Sequence, residues 1–164
     1  MLGFNHFDEK QSDWISGLLT LKDGRFRAPA PGLRGVFSHF WSPDSRFIYC
    51  HDLENLYRIS AETGKTEKTG KLSSVIGKAM ASSAMTFAIS PDGKRVIICD
   101  YFNAYELVLP ETAKDFDEIW KETPAAIELG TREQGEAVGY SADGKSIFAT
   151  SEKKNSPIIE VKRK

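Results

Sequence analysis

"SPDGKRVIICDY" occupies residues 90–101, and the chain carries the same phrase twice more, as "SPDSRFIYCHD" at 42–52 and "SADGKSIFATSE" at 141–152. From Ser42 to Ser90 is 48 residues and from Ser90 to Ser141 is 51. Proline presets φ, aspartate bonds its own backbone, and glycine takes the positive φ that ends a tight turn, so Ser-Pro-Asp-Gly between β-rich segments is a hairpin signal. Aligning the serines, with one residue deleted after Asp44, pairs Phe47 with Val96 and Ile147, Cys50 with Cys99 and Thr150, and His51 with Asp100 and Ser151.

Working outward, an apolar stretch precedes each serine: "GVFSHFWS", "SAMTFAIS" and "EAVGYS". A third follows each phrase, in "NLYRIS", "NAYELVL" and "SPIIEVK". "LLTLKDGRFRA" and "LYRISAETGKTEKT" read as hairpins closed at Asp-Gly and Thr-Gly, which supplies a fourth strand. The unit is a four-stranded antiparallel meander, and its period matches a β-propeller blade rather than a helical repeat. "FIYC" and "VIIC" are apolar in both phases, as strands need when both faces of their sheet are covered.

The predicted fold is therefore all-β, a single domain of about three and a half propeller blades at residues 1–30, 31–71, 72–130 and 131–164. Natural propellers close with about four to eight blades. The chain is then part of a longer propeller, or closes by association with copies of itself. A competing arrangement has residues 1–13 complete the last sheet beside Ile158 to Val161, giving a small ring. "PETAKDFDEIWKE" departs from the blade pattern. Ala113, Phe116, Ile119 and Trp120 share one face of a short helix predicted over 111–121.

Twenty-two basic residues against 23 acidic ones leave a net charge of −1, which excludes a field that would draw in nucleic acid or an anionic membrane. No apolar run approaches the ~20 residues of a membrane span, and "MLGFNHFDEK" lacks the pattern of a signal peptide. As written the chain reads as cytoplasmic; as the C-terminal part of a longer propeller it reads as periplasmic or secreted.

The Ser-Pro-Asp-Gly turns resemble the WD40-like blades of bacterial periplasmic and secreted propellers. "ISPDGKRVIICDYFNAYEL" and "QGEAVGYSADGKSIFATSEKKNSPIIEV" are similar to the last two blades of a bacterial propeller family, itself distantly similar to esterase-like phytases and lactonase-type propellers. The resemblance covers residues 84–164 and implies the fold; it carries no established activity.

In such a blade the turn from strand two to strand three lies at the end that holds ligands. There the alignment places His51, Asp52, Asp100, Tyr101, Asn103 and Glu152, together with Glu136. Glu136 falls in the column of Phe37 and Met85, an acid in an apolar position. With Asp100 and Glu152 it offers an oxygen-rich set suited to Ca²⁺; paired with Arg132 or Lys153 it is a salt bridge. His39 aligns with Phe87 and Val138 and reads as a hydrogen-bonded core residue. No serine stands in Gly-x-Ser-x-Gly, and Cys50 and Cys99 lack metal-ligand spacing and read as free thiols. The leading function is a non-enzymatic propeller module that binds a ligand or protein at the channel mouth. The alternatives are a fragment of a metal-dependent hydrolase of the lactonase or phytase-like kind, and an assembly unit that closes a ring as a homo-oligomer.

Overall fold

The structure, a computed structural model, describes residues 1–77 and 86–163. Its strands form four antiparallel sheets, each a meander in which neighbours in sequence are neighbours in the sheet. Two compact units divide the chain, Met1–Leu72 and Ser73–Lys164. In the first, β1 (Leu2–Asp8), β2 (Asp13–Leu19) and β3 (Phe26–Arg27) make one sheet, and β4 (Phe37–Trp41), β5 (Phe47–His51), β6 (Asn55–Ser60) and β7 (Thr66–Lys71) make another. In the second, β8 (Thr86–Ile89), β9 (Arg95–Cys99), β10 (Ala104–Val108) and β11 (Ala125–Ala126) precede a three-stranded sheet of β12 (Gly135–Tyr140), β13 (Ser146–Ser151) and β14 (Ile159–Lys162). These are propeller-type blades, and the last one stops after its third strand as the repeats predict.

The three phrase turns are built alike. Ser42, Ser90 and Ser141 donate their hydroxyls to Asp44, Asp92 and Asp143 at 2.6, 2.5 and 2.7 Å. Each aspartate also accepts the N–H two residues on, from Arg46, Lys94 and Lys145. Each serine oxygen in turn accepts an N–H from the start of the next strand, at Phe47, Arg95 and Ser146. This geometry corrects the alignment, because no residue is deleted after Asp44. Ser45 takes the place of Gly93 and Gly144, at φ 59° beside 70° and 69°. The true columns pair Ile48 with Val96 and Ile147, His51 with Cys99, and Asp52 with Asp100.

The N-terminal segment forms a hairpin within the first unit. Leu2 to Asp8 pairs with Leu19 to Asp13 around a polar turn. A hairpin that closes over four residues orders far less chain than one that spans the whole sequence. The inserted helix is also shorter than predicted: a 3₁₀ helix, Phe116–Lys121, capped by Asp115, whose carboxylate accepts the Asp117 N–H at 3.0 Å. Aspartate competes for backbone donors and so starts a helix rather than continuing one. Ile119 and Trp120 are buried, as the apolar face requires.

β5 and β9 each bury four consecutive residues, so both faces of these strands are shielded. The first unit gathers Leu18, Val36, Ile48, Cys50 and Ile59 into a core, and the second gathers Ile97, Cys99, Ala104, Leu129, Val138, Ile147 and Ala149. Both cysteines are free and buried. Burial pushes the Cys50 thiol up to about 12.

Candidate functional site

Asp52 and Asp100 close identical turns between the second and third strands of their sheets. The Asp100 carboxylate accepts the N–H groups of Phe102 and Asn103 at 2.7 and 2.5 Å, and Asn103 Nδ2 donates to its other oxygen at 3.4 Å. Asp52 accepts from Glu54 N, Asn55 N and Asn55 Nδ2, and also from the Tyr57 hydroxyl at 2.7 Å. Burial works against ionisation of Asp52, but these bonds outweigh it and hold its carboxyl below the usual range. Both carboxylates are thus engaged by the loop that carries them. His51 is fully buried, with Nδ1 accepting the Leu53 N–H at 3.1 Å. Burial lowers its pKa to about 4, against the pull of Asp52. His39 meets the buried Ser16 hydroxyl at 2.6 Å, the hydrogen-bonded core position expected of it, and burial with His51 nearby lowers it to about 4.

The remaining predicted residues lie in the second unit. Glu136 is half-buried in a bulge of β12, where its carbonyl accepts the Thr86 hydroxyl at 2.6 Å. Met85, which the alignment puts in its column, lies outside the described residues. Tyr101 is half-buried and its carbonyl accepts Gly135 N at 2.8 Å. Glu152 is exposed on the loop after β13, and its N–H reaches Gln134 O at 2.7 Å. Among the described residues no three His, Cys, Asp or Glu side chains are assembled to hold a metal ion, so Glu136, Asp100 and Glu152 do not form such a group. Lys153 pairs with Glu133 rather than Glu136.

These backbone bonds tie the segment before β12 to the turns of both sheets, and they position a side chain that the sequence offered only as a salt-bridge partner for Glu136, a pair that does not form among the described residues. Arg132 is only 6% exposed, and its Nε and Nη1 have no hydrogen-bond partner. It packs over Gly135, where an added Cβ would overlap Nη1 and approach Asp100 O to 2.9 Å. The absence of a side chain at Gly135 is what admits the guanidinium. Burial raises the Cys99 thiol, and Arg132, through its charge and a side-chain hydrogen bond, lowers it in part. In "LGTREQGEAVGY" an arginine among polar residues looks like any solvated linker cation; only Gly135 nearby hints at close packing.

Arg132 forms part of the wall of a cavity of about 210 Å³, with Lys153, Lys154, Asn155, Ser156 and Ile159 among its other lining residues. Lys153 and Asn155 hold positive φ, at 154° and 64°, conformations that side chains other than glycine seldom adopt. A wider cleft in the first unit includes Arg27 and Arg46, but those guanidiniums are bonded to Ala61 O and Asp44. The cavity at Arg132 is where a buried cation has two nitrogens without a hydrogen-bond partner.

No protein-family model matches the chain, and no curated protein does. Among solved structures it is similar to TolB from Acinetobacter baumannii, with a TM-score of 0.66 at 15% identity over 98% of this chain and 38% of that one. It is also similar to a 6-phosphogluconolactonase candidate from Bacteroides uniformis, with a TM-score of 0.57 at 15% identity over 90% of this chain and 46% of that one. Kuenenia stuttgartiensis hydrazine synthase gives a TM-score of 0.59 at 14% identity, over 92% and 52% of the two chains. The chain spans about half or less of the length of each. At such identity the likeness is one of fold, and the fold is that of β-propeller blades.

Proposed function

We propose that the chain is a non-enzymatic propeller module that binds a ligand at the end of its second unit where the Asp100 turn and the loop after β13 meet the segment before β12. The observation that carries this reading is the cavity walled by Arg132, a buried cation without a hydrogen-bond partner at two of its nitrogens. Binding sites combine a concave surface with a few convergent polar groups, and this cavity has both. Asp100, Tyr101 and Asn103 serve as its scaffold: Asp100 and Asn103 fix the turn, and Tyr101 holds Gly135 in place. The three equivalent Ser-Asp turns favour membership of the Ser-Pro-Asp-Gly repeat propellers of bacteria. Amide spectra of the ¹⁵N-labelled full chain against a small-metabolite library test the reading, with product analysis alongside. Saturable shifts at 131–135 and 151–156 without turnover are expected. Turnover of a lactone or phosphate ester that a chelator abolishes would replace the binding module with a metal-dependent hydrolase.

A further inference from the structure

The geometry points to a small organic carboxylate as the ligand of the Arg132 cavity, an assignment that rests on the binding reading above. A guanidinium cannot shed its proton, so unlike a buried lysine or histidine it stays charged wherever it is placed. Taking that charge out of water is costly unless an anion and hydrogen-bond acceptors offset it. Arg132 has neither at Nε and Nη1; among the described residues it makes no ion pair, and the side chain it bonds is the Cys99 thiol, which burial keeps neutral. The compensating charge is therefore one the ligand brings.

The walls narrow the choice. Arg132, Lys153 and Lys154 face Glu133 and Glu152, three cations against two anions. Lys153 is held by Glu133. One surplus positive charge matches a monoanion better than a phosphate dianion. Pro157 and Ile159 add apolar wall, suited to a short hydrocarbon remainder. At about 210 Å³ the cavity is smaller than the roughly 300–1,000 Å³ of drug-sized sites, which fits a metabolite of a few carbons.

Butyrate, its uncharged analogue butyramide, and inorganic phosphate test this on the full chain by amide shifts and calorimetry. Butyrate is expected to saturate and to shift amides 131–133 and 151–156, with butyramide and phosphate weaker by about tenfold or more, since a charge-assisted bond contributes roughly 1.5–3 kcal/mol. Arg132→Met is expected to lose butyrate binding and to raise Tm, because a buried unpaired charge is replaced by a side chain of similar size. Lys154→Met, an exposed change, keeps the fold and weakens butyrate a few-fold. A destabilised Arg132→Met would mark the residue as structural and overturn the assignment. So would butyramide binding as tightly as butyrate, or Lys154→Met leaving butyrate affinity unchanged. Shifts at these amides with a neutral or cationic library member but none with butyrate would overturn the carboxylate and leave the binding module standing.

Discussion

The Tyr140 hydroxyl on β12 donates to Glu106 Oε1 on β10 at 2.8 Å, and so joins the last two sheets of the chain through a single buried carboxylate. Arg95 approaches the other oxygen at 3.1 Å, and Arg163 lies 3.3 Å from the first. Burial, with the Glu106 charge beside it, pushes the Tyr140 phenol up. Glu106→Ala removes the acceptor and leaves two arginines facing each other without it; a loss of about 2–3 kcal/mol is expected, below the usual cost for a wholly buried pair because both arginines are partly exposed. Tyr140→Phe should cost about 1 kcal/mol. Urea denaturation reads both, and an Ala variant as stable as wild type would remove this network as a link between the sheets.

Ser45 stands where the other two turns have glycine, at φ 59°. Ser45→Gly is expected to stabilise the first unit by about 0.5–1 kcal/mol, because the left-handed conformation costs an L-residue roughly 1–2 kcal/mol and glycine's extra chain entropy returns part of the gain. The converse Gly93→Ser should destabilise by a similar amount. Thermal melts check the pair, and a destabilised Ser45→Gly would put the register in doubt.

Gly64 is a stricter case. It ends the β6–β7 turn at φ 74°, and an added Cβ would overlap the Pro29 carbonyl. Gly64→Ala should cost about 2 kcal/mol or more, since the left-handed strain is joined by a backbone overlap that no side chain can relieve. Protection of the amides at 60–66 from hydrogen exchange would fall first.

Stability should decline with acid in two steps. His39 and His51 are held near 4, below the ordinary value of 6.5, so the unfolded chain takes up protons first and stability is lost as pH falls from 6.5 towards 4. Burial opposes ionisation of Asp44, but the bonds from Ser42 and Arg46 outweigh it and lower it to about 2; Asp92 and Asp143 are lowered by their bonds from Ser90 and Ser141 and the N–H groups of Lys94 and Lys145. Their contribution is complete above the ordinary aspartate range and is lost as pH falls below it. Denaturation midpoints between pH 8 and 2 check the order. A His39→Gln, His51→Gln double variant that keeps the full decline between 6.5 and 4 would show that the imidazoles are not its source.

Among the described residues the last sheet has three strands, with β14 at its edge, where the sheets of β4–β7 and β8–β11 have four. An open edge is a template for pairing with another chain. Association of copies is expected at micromolar concentration, seen by light scattering as a mass above 18.3 kDa. A stable species at the chain mass would exclude the ring-closing homo-oligomer.

What the sequence determined by itself is whatever a few neighbouring residues decide. Ser90, Pro91, Asp92 and Gly93 specify their turn through bonds among themselves, and the alternation around them makes strands, so the repeated blade was legible from residues 42, 90 and 141 outward. Register needed the structure, because the spelling Ser45 for glycine is invisible until its φ is known. The repeat puts the Asp52 and Asp100 turns at equivalent places in their sheets, but it does not give the roles of the residues there. Asp52 and Asp100 look like ligands by type, and only their neighbours' N–H groups show that the loops use them. Arg132 is the plainest case. Its burial follows from Gly135, from the Asp100 turn and from the loop after β13, which lie near or far in sequence and meet only in the folded chain, and no local pattern records whether a charge has found a partner.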